Sequence, residues 1–193
     1  MAIRYVALGD SISIDAYTGE VGGGAASQLA RRLAVADFEN RARDGNIAAE
    51  VLGDLRGGVR ADLVTLTIGG NDFLLGRPVD ETLSAIEAIA QKLDEIAVVI
   101  LNSVYDPSDG DDSLAPEMDL PPEWRPRFER LNAGIREIAA RHGFLLADLE
   151  ALCRGHGLRS TDTWFTFGIE PNLACATAIA EHWFMLLRGT EDG

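Results

Sequence analysis

Short unbroken apolar runs alternate along this chain with longer segments in which apolar residues recur every three or four positions. The first pattern marks strands buried on both faces, the second amphipathic helices. Residues 3–8 form the first short run, closed by Gly9. Residues 37–40 offer a short strand, Ala61–Ile68 a β-rich run ending in Gly69 and Gly70, and Ala97–Leu101 a fully apolar run. Phe144–Ala147 is a further strand. Between them the periodicity predicts helices over 26–36, with Ser27 as the N-cap candidate, and over 48–55. Further helices are predicted over 80–95 (Leu83, Ile86, Ile89, Ala90, Leu93) and 123–141 (Phe128, Leu131, Ile135, Ile138). Leu173–Leu187 closes the chain as a helix after Pro171 and Asn172.

Strands and helices thus alternate about five times, which implies a parallel sheet of about five strands covered by helices on both faces, a three-layer α/β/α sandwich. A length of 193 residues suits one domain spanning 1–193, and no repeat or linker divides it. In such sheets ligands bind beyond the carboxyl ends of the strands, so useful chemistry is expected just after each strand.

Three candidates stand there. Gly9, Asp10 and Ser11 end the first strand, where a hydroxyl is exposed and close to free backbone N–H groups; read alone, they also suit a helix cap. Gly69, Gly70, Asn71 and Asp72 end the third, and an Asn there can donate its amide into a site or simply make a turn. Gly45 follows the second strand and offers a backbone N–H or a loop glycine. Taken together they supply a nucleophile, a backbone donor and a side-chain donor on one side of one sheet.

This set resembles the SGNH/GDSL serine hydrolases over essentially the whole chain, in order and spacing. The resemblance implies a flavodoxin-like SGNH fold and an esterase- or lipase-like enzyme without cofactor. Ser11 would attack an ester carbonyl to form an acyl-enzyme, and the oxyanion would be held by the N–H groups of Ser11 and Gly45 and by the Asn71 amide. The family's fourth block, Asp-x-x-His before the last helix, is altered. Glu170 stands at the His position and Phe167 at the Asp position.

Three readings of that change stay open. His156 lies past the fifth strand, on the active side, and offers itself as a base. Glu170 is the second candidate; a free carboxylate is a weak base towards serine unless burial raises its pKa. The third reading is a catalytically impaired relative that binds a small acylated or anionic ligand. His142 precedes a strand, at the opposite end, and His182 lies about 18 Å along the last helix from Glu170; both read as structural. A flavodoxin-type nucleotide or flavin carrier would share the topology, but the Asn71 block argues against it.

Composition narrows the partners. With 17 basic and 31 acidic side chains the net charge is −14, which disfavours nucleic acid and anionic membrane and leaves a small-molecule ester substrate. Cys153 and Cys175 read as buried small hydrophobes, with no disulfide framework and no metal clip. The chain enters a strand directly from Met1 and has no apolar stretch of spanning length, so a cytoplasmic protein is expected. Asp106–Asp112 reads as an exposed acidic turn with Gly110 out of register for an EF-hand, and Gly22–Gly24 as a flexible loop lacking the Lys-Ser/Thr of a P-loop.

Overall fold

The computed structural model describes residues 3–120 and 123–189. Its sheet has five parallel strands, β1 (Arg4–Gly9), β2 (Asp37–Asn40), β3 (Leu63–Thr67), β4 (Val98–Asn102) and β5 (Leu145–Ala147), in the order β2-β1-β3-β4-β5. The chain leaves β1 for β2 on one side, then crosses to β3 on the other. The switch point, where α/β sheets open a crevice, therefore lies beyond the ends of β1 and β3.

Alternation along each strand feeds two cores. Val6 and Leu8 of β1, Val64 and Leu66 of β3, and Val99 and Leu101 of β4 face α2 (Ala48–Asp54), α4 (Val79–Leu93) and α5 (Trp124–His142). Tyr5, Ala7, Leu63 and Ile100 face α1 (Ala25–Arg32), α6 (Leu149–Leu152) and α7 (Leu173–Gly189). Two short helices, α3 (Gly70–Leu74) and α6, a hairpin of β6 (Phe165–Thr166) and β7 (Glu170–Pro171), and three 3₁₀ turns complete the described elements. None of these was visible as periodicity, because each is too short to repeat.

The predicted helix over 26–36 is corrected at both ends. It begins at Ala25 with Gly24 as N-cap, so Ser27 does not cap it. It stops at Arg32 because Ala34 turns left-handed (φ 50°). The Val35 N–H then donates to Ala30 O (3.2 Å) and the Ala34 N–H to Arg31 O (3.1 Å), a Schellman closure. Alanine occupies the position usually given to glycine, so no stop signal was legible.

Most polar groups inside the fold are paired; among the described residues Arg4 Nε, His156 Nδ1, Glu170 Oε2 and His182 Nε2 are buried without a hydrogen-bond partner. The Trp183 Nε1–H donates to Asn102 Oδ1 (2.7 Å), and Asn102 Nδ2 donates to Leu66 O (2.9 Å), fastening α7 across β4 to β3. Asn132 on α5 donates to Val104 O and accepts from Val104 N, each at 2.8 Å, which fixes the exit of β4. The Cys153 and Cys175 thiols are free and buried, 4.0 Å apart. His142 lies against Asp94 (2.5 Å) and Glu87 (3.0 Å) at the end of α5. His182 is half-buried, and burial holds its pKa below the ordinary value. No helix among the described residues is long and apolar enough to cross a membrane.

Gly9 is the tightest point of the fold. Its φ is 123°, and a Cβ there would lie 1.8 Å from Thr67 O. Gly9→Ala should therefore cost more than about 3 kcal/mol, or prevent folding, because backbone and not a flexible side chain must yield. Urea unfolding of the purified variant measures it, and a loss below about 1 kcal/mol would contradict the contact.

Candidate active site

The end of β1 turns at once into a single 3₁₀ turn, Ser11–Ser13, capped by Asp10, whose Oδ1 accepts the Ile12 N–H at 3.2 Å. The Asp10 N–H reaches Thr67 O (3.1 Å), so the exits of β1 and β3 are bound together. Ser13 Oγ pairs with Thr67 Oγ1 (3.0 Å). Ser11 thus sits at the switch point, on a turn with no freedom to drift.

The loop after β2 is drawn into the same place. Asn46, buried, donates its Nδ2–H to Gly9 O (2.8 Å), and Arg43 N donates to the same carbonyl (3.0 Å). Asn71, on α3 after β3, donates its Nδ2–H to Asn46 O (3.0 Å). Asp72 accepts the Ala48 N–H at the head of α2 (2.9 Å). Three strand exits are stitched into one floor through Asn46, a residue that the sequence motifs passed over. Its only signal was its place beside Gly45.

Ser11 and Asn71 line one pocket, and Gly45, exposed and left-handed (φ 71°), directly precedes Asn46 in the adjoining loop. Among the described residues no protein acceptor takes the backbone N–H of Ser11 or Gly45. One amide hydrogen of Asn71 is engaged with Asn46, which leaves the other for the crevice.

Glu170 arrives on β7, which packs against the Ser11 turn. It is half-buried, and its Oε2 is enclosed without a hydrogen-bond partner. Burial pushes its carboxyl above the ordinary range, the neighbouring Ser11 hydroxyl pulls it back, and the charge of Asp44 adds to the rise. Asp10, fully buried beneath, is pushed up to about 7, mainly by desolvation, against hydrogen bonds from Ile12 and Thr67 and with a further push from Glu170. The Tyr105 hydroxyl donates to Ile169 O (2.7 Å) and anchors the hairpin that carries Glu170.

His156 lies elsewhere on the same rim. Its ring stacks on Trp164 (centroids 3.8 Å, 3° between planes), with Nδ1 2.9 Å from Asp162 Oδ2 but without the alignment of a hydrogen bond. The acidic run after β4 is satisfied by local bonds and by the ion pairs of Asp111 with Arg159 and Asp112 with Arg125. Asp106 accepts from the Ser108 N–H (2.9 Å), the Ser108 hydroxyl (2.6 Å) and the Gly110 N–H (3.0 Å), and Asp109 accepts the Gly155 N–H (3.0 Å). Among the described residues no group of three or more metal-ligating side chains converges. The Gly22–Gly24 loop, expected to be flexible, is instead tied down by Asp15, which accepts the Gly22 and Gly24 N–H groups at 3.0 and 2.9 Å.

An apolar pocket of about 50 Å³ opens beside Ser11 and Asn71. Phe73, Trp124 and Phe128 pack edge to face and close its far end, and Val104, Leu120 and Ile169 form its sides.

Comparison with known proteins places these features. The GDSL-like lipase/acylhydrolase family model matches residues 7–177. Among solved structures, a lipolytic protein of the G-D-S-L family from Veillonella parvula superposes with a TM-score of 0.74 at 18% identity, covering 95% of this chain and 97% of that one. The structure titled TesA gives 0.70 at 24%, covering 96% and 98%. Phospholipase A1 from Streptomyces albidoflavus gives 0.67 at 22%, covering 98% and 99%. A comparison with curated proteins finds no match.

Asp10 sets a pH signature. Its folded pKa, about 7, lies above its unfolded value, so the folded state holds the proton longer and stability falls as pH rises from about 4 to about 7. Asp10→Asn should flatten that slope. Thermal melts of both proteins across this window test it, and parallel curves would count against a buried neutral Asp10.

Proposed function

Because the chain belongs to the GDSL-like lipase/acylhydrolase family, a family of hydrolases, we propose that it cleaves esters through an acyl-Ser11 intermediate with Glu170 as the base. The observation that carries this reading is the half-buried Glu170 carboxylate, on a hairpin packed against the Ser11 turn and with its pKa raised by burial. A carboxylate at its ordinary pKa is too weak a base, and raising the pKa brings it toward working range.

Ser11 Oγ attacks the ester carbonyl and passes its proton to Glu170. The oxyanion is held by the Ser11 and Gly45 N–H groups and the Asn71 amide. The C–O bond to the alcohol breaks, and the leaving oxygen takes the proton back from Glu170. Water, deprotonated by Glu170 in turn, attacks the acyl-enzyme; the acyl C–Oγ bond breaks, Ser11 Oγ takes the proton back from Glu170, and the acid is released. The small apolar pocket beside Ser11 favours a short acyl chain. In this scheme His156 supports the rim through its Trp164 stack and takes no proton.

Rates on p-nitrophenyl acetate, butyrate and decanoate provide the first test, with the short chains expected to lead. Ser11→Ala should abolish the activity, and Glu170→Gln should lower kcat by about 10³-fold or more, while His156→Ala keeps it within a few-fold. A dead His156→Ala with an active Glu170→Gln would transfer the base to His156. Wild type no faster than Ser11→Ala on any ester would favour a ligand-binding protein instead.

The pH dependence follows from the same carboxylate. Only ionised Glu170 accepts the proton, so kcat/KM should fall as pH drops through its folded pKa, above the ordinary 4.5. A profile flat down to pH 4.5 would exclude Glu170. Asn71→Ala should lower kcat by about 10²-fold with KM nearly unchanged, as expected of a donor used in the transition state.

A further inference from the structure

The hairpin that presents Glu170 also carries an unusual residue at its tip. Between β6 and β7 the turn is made by residues 167–169, and Phe167 adopts a left-handed backbone (φ 47°) while 83% of its surface stays exposed. A bulky side chain at positive φ is strained, and an exposed aromatic ring gains nothing from burial. Glycine or asparagine would suit the turn better. Two costs at one position, with little burial in return, point to a use for the ring.

Phe167 faces Tyr17 across the mouth of the site, with ring centroids 6.0 Å apart and planes tilted by 59°. Tyr17 is itself fixed, its hydroxyl donating to Asp44 Oδ2 at 2.7 Å, and Asp44 directly precedes Gly45. The two rings thus spring from the loop of the proposed oxyanion donor and from the hairpin of the proposed base. Neither lines the apolar pocket beside Ser11, whereas Ile169 of the same turn does. The turn sends Ile169 to the acyl side, Glu170 to Ser11 and Phe167 to the remaining side. The outer edge of Phe167 borders a surface groove with Met118, Leu158 and Arg159.

We propose that Tyr17 and Phe167 form the subsite for the leaving alcohol, and that this subsite takes neutral aromatic alcohols. The inference rests on the acyl-Ser11 reading, which puts the acyl chain in the apolar pocket and turns the leaving oxygen toward Glu170. A tilted ring pair offers one face and one edge, to which a third ring adds in the edge-to-face manner that aromatic groups prefer. Asp44 and Glu170, flanking this side, repel an anionic leaving group such as a phosphate-bearing head group.

The test compares benzyl butyrate with ethyl butyrate, which share an acyl group and differ in the alcohol, on wild type, Phe167→Asn and Phe167→Trp. Wild type should prefer the benzyl ester. Phe167→Asn, which suits the left-handed turn, should keep or raise Tm, lower the benzyl-to-ethyl ratio of kcat/KM about tenfold, and leave the ethyl ester within about twofold. Phe167→Trp should retain the preference. An unchanged ratio in an active Phe167→Asn protein would overturn the subsite. Benzyl alcohol, titrated by NMR into Ser11→Ala with and without Phe167→Asn, gives a readout independent of turnover. If wild type hydrolyses neither ester while benzyl alcohol binding depends on Phe167, the acyl-enzyme reading fails and the aromatic subsite stands. If binding is absent or indifferent to Phe167, the subsite itself fails.

Discussion

The site depends on how closely two parallel strands can leave their sheet side by side. At the ends of β1 and β3 the backbone of Gly9 lies so near Thr67 that no Cβ fits between them. That contact puts Ser11 directly beside the turn that carries Asn71. Asn46 then completes the assembly, giving its side-chain amide to Gly9 O and receiving Asn71 on its own carbonyl. Both partners are backbone carbonyls, so the bonds that occupy them also set the geometry of the side chains that donate to them. Structure and site are here one hydrogen-bond network.

Around this floor the chain gathers carboxylates. Asp10 and Asp72 are buried beneath the crevice and Glu170 is half-buried at its wall, each with its pKa raised chiefly by desolvation. A protein of net charge −14 has spare carboxylates on its surface, and there they are paired or solvated. Those enclosed at the crevice differ because water is excluded, and Asp10 and Glu170 also face like charges. On the function proposed above, a carboxylate in the position of an imidazole needs a raised pKa to do comparable work, and partial burial on a two-stranded hairpin raises it.

The hairpin has a second consequence. Because β6 and β7 are only two residues each, Ile169, Glu170 and Phe167 diverge within one turn toward three different surroundings. Tyr105 and the Asn172 cap of α7 hold the turn from either side. The element holds Glu170 beside the Ser11 turn and is small enough to expose an aromatic ring.

Much of this was written in one dimension. Near-continuous apolar runs separated by helical periodicity determined a covered parallel sheet, since strands buried on both faces cannot afford polar positions. The glycines and polar residues after the first and third strands located Ser11 and Asn71, because strand ends are where an α/β sheet leaves a crevice. Asn46, the Schellman end of α1 at Ala34, the restraint of Gly22–Gly24 by Asp15 and the β6–β7 hairpin were decided only in three dimensions. Their cause lies in partners far along the chain or in backbone angles that no periodicity encodes. The same holds for the proposed base. The residue at position 170 is visible in the sequence, but its protonation depends on how much water the folded crevice excludes and on which charges the fold sets beside it.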